Sequence, residues 1–209
     1  MTEVKDPSAA PDELDRLASD GFFLRTDWLS ARVADAARSA VQGLAGFSPA
    51  GIGRGGDRHL ERTVRNDERV WIDPAQSPEG LLPVLTALEQ LRLWLNREAQ
   101  LGLQRTELQL ARFGPDGTLY QRHKDSFRGS QGRRVTALYY LNPDWQPEHG
   151  GALRLHLEGR AALDVPPELN TLVVFLSERV EHEVLPNFAP RYALTVWWSG
   201  AQVFGRREG

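Results

Sequence analysis

Beyond Thr106 the chain becomes a succession of short apolar runs, at residues 107–113, 134–142, 152–157, 171–176 and 191–199, separated from one another by Gly, Pro or Asn. Runs of this length, rich in β-branched and aromatic residues, are strands, and strands joined by turns pair antiparallel. The 19 glycines and 13 prolines agree with a fold of many turns. Such a sheet must bury at least one face, which requires a second sheet, a layer of helices, or both.

The first half supplies the helices. Residues 11–18 read as a short helix and Phe22, Phe23 and Leu24 as a strand entering the core. Residues 28–44 carry Leu29, Val33, Ala37 and Val41 on one face, with Thr26 or Asp27 as the expected cap. Residues 81–101 repeat Val84, Leu88, Leu91 and Leu95 at spacings of four, three and four. Between the two helices lie a glycine-rich loop at 51–57 and a strand at 69–73. The loop has no Gly-Lys-Ser/Thr, so it is not a phosphate loop. The expected class is α+β, with helices packed on one face of a β-sandwich or jelly roll. In 209 residues this is a single domain over 11–204, with helical support at 11–101 and a β core at 106–199. Residues 1–10 and 205–209 read as flexible ends.

The absence of cysteine excludes disulfides, thiolate zinc sites and a Cys nucleophile. Any metal must be held by nitrogen and oxygen. A net charge of −3, from 25 basic and 28 acidic residues, argues against a protein built to grip phosphate backbones. No run approaches the length of a membrane span and the N-terminal residues lack the apolar stretch of a signal peptide, so a soluble, cytosolic protein is expected.

The chemistry concentrates in His123-Lys124-Asp125, followed by His182 and then Arg191. On an extended segment, residues at i and i+2 project to the same face, so His123 and Asp125 can share one metal, with His182 arriving from another strand. Two imidazoles and one carboxylate leave adjacent positions open, as in non-haem Fe(II) oxygenases. Strand parity places Arg191, Ala193, Thr195 and Trp197 together, opposite Tyr192, Leu194, Val196 and Trp198. A buried arginine needs an anion, and a carboxylate accepts its planar fork in two hydrogen bonds. Tyr140, on a face with Thr136 and Leu138, can serve the same anion. The inferred ligand is a dicarboxylate. Metal binding should fade below about pH 6 as imidazoles protonate.

Tyr120-Gln121-Arg122-His123-Lys124-Asp125, the run from Arg134 through Tyr140 to Asn142 with Trp145, Gly150-Gly151, His182-Glu183-Val184 and the run from Arg191 to Trp197 resemble the 2-oxoglutarate- and Fe(II)-dependent prolyl hydroxylases, above all those acting on hypoxia-inducible factor and their bacterial relatives. The resemblance is dense over 106–198 and weaker through 65–72, which looks like the family's substrate-covering strand pair. It implies a double-stranded β-helix core, iron held by His123, Asp125 and His182, and the far carboxylate of 2-oxoglutarate held by Arg191 and Tyr140 with help from Thr195. Trp197 is expected to line the pocket. Phe113 stands where the animal enzymes carry a tyrosine near the iron-bound end of the cosubstrate, which implies altered cosubstrate affinity. The implied reaction consumes dioxygen, with ascorbate as candidate reductant, and hydroxylates a prolyl residue of a protein, releasing succinate and CO2. The bacterial relatives suggest a translation factor such as elongation factor Tu. Alternatives are the same chemistry on another residue or a small amino-acid-like molecule, and a non-catalytic metal and 2-oxoglutarate binder. A cupin would offer a third His and a Glu, and an AlkB-type nucleic-acid demethylase a second arginine where this chain has Trp197.

The cluster Arg122, Lys124, Arg128, Arg133 and Arg134 reads as a steering field for a dianion or a solvated rim, ahead of a nucleic-acid patch. The segment 51–68 is the expected lid, with Arg133 pairing to Asp67. His59, His149 and His156 are assigned no role in the site, His156 lying on a solvated strand face.

Overall fold

Apolar side chains alternate with equally buried ones along the last strand, and that pattern requires a sheet covered on both sides. The computed structural model describes residues 11–51, 64–126 and 132–200. In chain order these form α1 (Pro11–Ser19), β1 (Phe22–Arg25), α2 (Ala31–Gln42), β2 (Ser48–Pro49), β3 (Glu68–Trp71), α3 (Leu82–Ala99), β4 (Arg105–Phe113), β5 (Thr118–His123) and β6 (Arg133–Tyr140). β7 (Leu153–His156), β8 (Leu163–Val165), β9 (Leu172–Leu176), β10 (Glu181–Asn187) and β11 (Arg191–Ser199) complete the chain. A seven-stranded sheet runs β1-β9-β6-β11-β4-β3-β2 and a four-stranded sheet runs β5-β10-β7-β8. Neighbouring strands are antiparallel, and the two facing sheets make the expected jelly roll.

Parity divides the core in two. Leu108, Leu110, Val135, Ala137, Tyr139, Leu172, Val174, Leu194, Val196 and Trp198 pack against the helices through Ala37, Val41, Leu88, Leu91 and Leu95. The opposite parity, Leu138, Tyr140, Val173, Phe175 and Ala193, meets Leu153, Leu155 and Val165 of the smaller sheet. The helical faces at 28–44 and 81–101 are therefore as expected from their spacing, Val33 being only partly buried.

Three local expectations differ. Helix α2 starts with Ser30 at its N-cap, after Thr26 and Asp27. The reason is Asn170, whose side-chain oxygen accepts from the Leu29 N–H (2.9 Å) and whose amide donates to the Leu29 carbonyl (2.7 Å), holding residue 29 outside the helix. β5 and β10 escaped the apolar-run pattern because one face of each meets solvent and their sequences are mostly polar. The segment carrying His123 and Asp125 is extended only to His123; Asp125 lies in a bend beyond β5. The expected flexible ends at 1–10 and 205–209, His59, Arg128 and most of the expected lid fall outside the described residues.

Leu194, fully buried between β11 and the helices, has no room to collapse around a truncation. Leu194→Ala should lower the unfolding free energy by about 2–5 kcal/mol, read from urea denaturation.

Candidate active site

The smaller sheet delivers two of the three converging side chains. His123 ends β5 and stands directly opposite His182 of β10 in the ladder, so both imidazoles emerge from one face with ring centroids 4.3 Å apart. The chain bends after His123 and returns Asp125 to them. His123 Nε2 lies 3.8 Å from Asp125 Oδ1 and His182 Nε2 lies 3.7 Å from Asp125 Oδ2. One donor atom from each of the three residues falls within 4.8 Å of the others.

Both rings are anchored in the same way. His123 Nδ1 faces the Gln121 carbonyl at 2.7 Å and His182 Nδ1 faces the Val180 carbonyl at 3.4 Å. A nitrogen facing a carbonyl must carry the proton and donate, which leaves each Nε2 lone pair for the cluster. Burial works to raise the Asp125 carboxyl, but His182, His123 and the Thr136 hydroxyl outweigh it and hold the group below its ordinary value. Thr136 Oγ1 donates to Asp125 Oδ2 at 2.8 Å and lies 2.8 Å from Ser177 Oγ. Two imidazole nitrogens and an oriented carboxylate are a donor set that fits a divalent ion with open positions.

The larger sheet supplies the other end of the cavity. Arg191 is 1% exposed, and neither its Nε nor its Nη2 has a hydrogen-bond partner among the described residues. The Tyr140 hydroxyl is equally unpaired. Burial pulls the guanidinium below its ordinary value, opposed by Tyr140 and Asp67, and burial pushes the Tyr140 hydroxyl up to about 12. Tyr140 is therefore a neutral donor at any physiological pH. The Arg191 guanidinium lies over the rings of Phe113 (4.7 Å) and Tyr140 (5.1 Å). Gly151 permits this close packing, since a Cβ there would fall 2.4 Å from Asn187 Oδ1 and 3.1 Å from Arg191 Cδ. An unpaired buried fork beside an unpaired phenol fits a carboxylate.

One cavity of about 600 Å³ contains both ends, lined by His123, Asp125, His182, Arg191, Phe113, Thr195 and Trp197 among others. Tyr140 is not among the lining residues and adjoins the cavity through Arg191, whose guanidinium lies over its ring. The parity of Arg191, Thr195 and Trp197 is thus as expected. Phe113 differs: it pairs in register with Arg191 and its ring packs on the guanidinium, at the anion end of the cavity. The expected Arg133–Asp67 bridge does not form. Glu107 and Arg133 both flank the end of β11, opposite Trp197 and Ser199 respectively, so Arg133 pairs with Glu107 (2.9 Å) and covers the Trp197 ring. Asp67 is taken by Arg65 (2.7 Å). In the basic cluster, Arg122 pairs with Glu181 and Arg134 donates to the Leu101 carbonyl, as befits a rim. His156 pairs with Glu183 on the outer face of the smaller sheet, and His149 accepts from the Gln146 N–H; neither lies in the cavity. Sequence reasoning missed the roles of Thr136, Ser177, Arg65 and Asp67. Only Thr136 left a signal, through its shared face with Tyr140.

Residues 108–199 match the family described as the 2OG-Fe(II) oxygenase superfamily. Human prolyl hydroxylase EGLN3 is 36% identical over 150 residues, 68% of this chain and 62% of that protein. Human Egl nine homolog 1 is 38% identical over 157 residues, 70% of this chain and 36% of that protein. The chain thus spans less than two thirds of either human relative's length. Among solved structures, a Pseudomonas putida prolyl-4-hydroxylase is 37% identical with a TM-score of 0.79, the match covering 91% of this chain and 98% of that one. A prolyl hydroxylase from Trichoplax adhaerens, solved in complex with a hypoxia-inducible factor oxygen degradation domain peptide fragment, gives 26% identity and a TM-score of 0.82, covering 93% and 90%. The chain belongs to the 2OG-Fe(II) oxygenase superfamily. Within it, the chain is similar to the EGLN prolyl hydroxylases and to the Pseudomonas putida prolyl-4-hydroxylase. The family and the His-Asp-His cluster together imply Fe(II) and 2-oxoglutarate.

Burial, then repulsion from His182, pushes the His123 imidazole down to about 3 from its ordinary 6.5, against the pull of Asp125. That shift works against proton competition at His123 near pH 6. Between those values the unfolded chain binds a proton at His123 that the folded chain refuses, so stability falls as the pH drops through this window. Urea midpoints of the metal-free protein should decline from pH 6.5 toward 3, and His123→Ala should flatten that decline; an unchanged slope would contradict the assignment.

Proposed function

We propose that the protein is a 2-oxoglutarate- and Fe(II)-dependent dioxygenase that hydroxylates a prolyl residue of a protein substrate. The observation that carries this reading is the presence, in one cavity, of a His-Asp-His cluster and a buried guanidinium fork unpaired among the described residues. His123, Asp125 and His182 hold the metal. Arg191 receives the far carboxylate of 2-oxoglutarate in its fork, Tyr140 donates its hydroxyl to the same group, and Thr195 assists from the same face of β11, beyond Ala193. When bound, Fe(II) supplies the redox chemistry that couples oxidation of 2-oxoglutarate by dioxygen, with succinate and CO2 released, to oxygenation of a C–H bond.

The remaining work is done by the chain itself. The two Nδ1–H groups donate to strand carbonyls and so select the tautomer whose Nε2 lone pair faces the ion. Thr136 holds the Asp125 carboxylate in one orientation. Phe113 gives the guanidinium an apolar floor that excludes water from the anion end. Trp197 and Trp71, with ring centroids 6.1 Å apart, wall the opposite side and shield the reacting atoms. Ascorbate is the proposed reductant, and a translation factor such as elongation factor Tu is the first substrate to test, on the bacterial resemblance.

Asp125→Ala should lose iron and all 2-oxoglutarate-dependent succinate formation. Arg191→Ala should retain iron and raise the KM for 2-oxoglutarate by roughly tenfold or more, from the loss of charge-assisted hydrogen bonds worth about 1.5–3 kcal/mol each. Normal kinetics in either variant removes that residue from the site. Mass spectrometry of candidate proteins incubated with enzyme, Fe(II) and 2-oxoglutarate should find one added oxygen on a proline; oxygen on another residue type would favour the same chemistry with a different target.

A further inference from the structure

The stretch preceding β3 bonds to the strand that carries His123. Gln121 donates its N–H to the Val64 carbonyl (2.8 Å), Asn66 donates its N–H to the Leu119 carbonyl (3.4 Å), and the Leu119 N–H returns a bond to Asn66 Oδ1 (2.8 Å). Residues 64–66 thus add a rung to the edge of β5, with Arg65 bridged to Tyr120. The chain then crosses to the larger sheet, where β3 pairs with β4.

Side chains follow the same line. The Asp67 carboxylate, buried completely, accepts two hydrogen bonds from the Arg65 guanidinium (2.8 and 2.7 Å). That guanidinium lies 4.1 Å over the Tyr120 ring. Tyr120 in turn stacks on the His123 imidazole, with centroids 3.7 Å apart and planes within 21°. A buried ion pair is a poor device for stability, because desolvation offsets most of its attraction. Here it fixes a planar group against a planar ring. His123 itself is the last residue of its strand, and among the described residues its ring makes one hydrogen bond, from Nδ1 to the Gln121 carbonyl. A single bond at one ring atom leaves the imidazole free to tip about it; a ring stacked on its face removes that freedom.

We infer that Arg65 and Tyr120 are positioning residues whose column, fixed by Asp67, clamps the face of His123 and sets the metal affinity of the centre. The inference rests on the reading of His123 as a metal ligand. Neither residue touches the ion. It is the ring face of Tyr120 that meets His123.

Co(II) titration of the full chain, followed by its visible spectrum, tests this without turnover. Tyr120→Leu and Arg65→Gln should each weaken Co(II) binding, by about tenfold or more for a group that orients a ligand, and should alter the ligand-field bands. Tyr120→Phe should keep the wild-type affinity and spectrum. The double variant Arg65→Gln/Tyr120→Leu should bind no more weakly than Tyr120→Leu, because the two act through one stack. Wild-type affinity in Tyr120→Leu, additive losses in the double variant, or a loss in Tyr120→Phe equal to that in Tyr120→Leu would overturn the inference. Should Tyr120→Leu fail to fold, Arg65→Gln decides the matter, an unchanged affinity overturning it. His123→Ala separates the two levels: if it leaves Co(II) binding intact, the ligand assignment fails, whereas if it abolishes binding while Arg65→Gln and Tyr120→Leu do not weaken it, only the clamp fails.

Discussion

β11 is hydrogen-bonded to β4 on one side and β6 on the other, with helices over one face and the smaller sheet over the other. Apart from the partly buried Tyr192, its side chains are shut off from bulk water, so each must be answered by packing or by a polar partner. Leu194, Val196 and Trp198 are answered by the helices, and Ala193 by the inter-sheet core. Arg191 is answered by neither, and the unpaired groups at its end of the cavity follow from that constraint.

The two ends of the cavity come from different sheets, so the separation between metal cluster and anion site is set by how the sheets face one another. The larger sheet, backed by three helices, is rigid by burial. The smaller sheet has one wet face tied by Arg122–Glu181, Arg154–Asp164 and His156–Glu183. Solvated surface pairs of that kind contribute little to rigidity. Orientation of the metal ligands therefore depends on local devices: carbonyls that fix the two imidazoles, a threonine that fixes the carboxylate, and a stack that covers one ring.

The apolar periodicities of α2 and α3 and the parity of β11 were legible in the sequence because each rests on a single repeat within one element, whereas the His-x-Asp pair was legible as a short spacing although Asp125 lies in the bend beyond β5. β5 and β10, which carry the histidines, were not found as apolar runs, since strands with one wet face are written mostly in polar residues. Arg133 and Asp67 were matched by charge alone, and register assigned them elsewhere: Glu107 and Arg133 lie on the two neighbours of β11, while Asp67 sits two residues from Arg65. Asn170 shows the same limit, a residue 141 positions from Leu29 deciding where α2 begins. Pairings across sheets depend on register, which no local pattern encodes.

The central claim is that a metal and a dicarboxylate occupy one cavity and hold each other there. Anaerobic calorimetry of 2-oxoglutarate binding, with and without Mn(II) as a redox-silent substitute, tests it most directly. The account predicts one 2-oxoglutarate per chain, bound far more tightly when the metal is present, with that enhancement lost in His182→Ala. Binding indifferent to the metal, or an enhancement that survives His182→Ala, would contradict it.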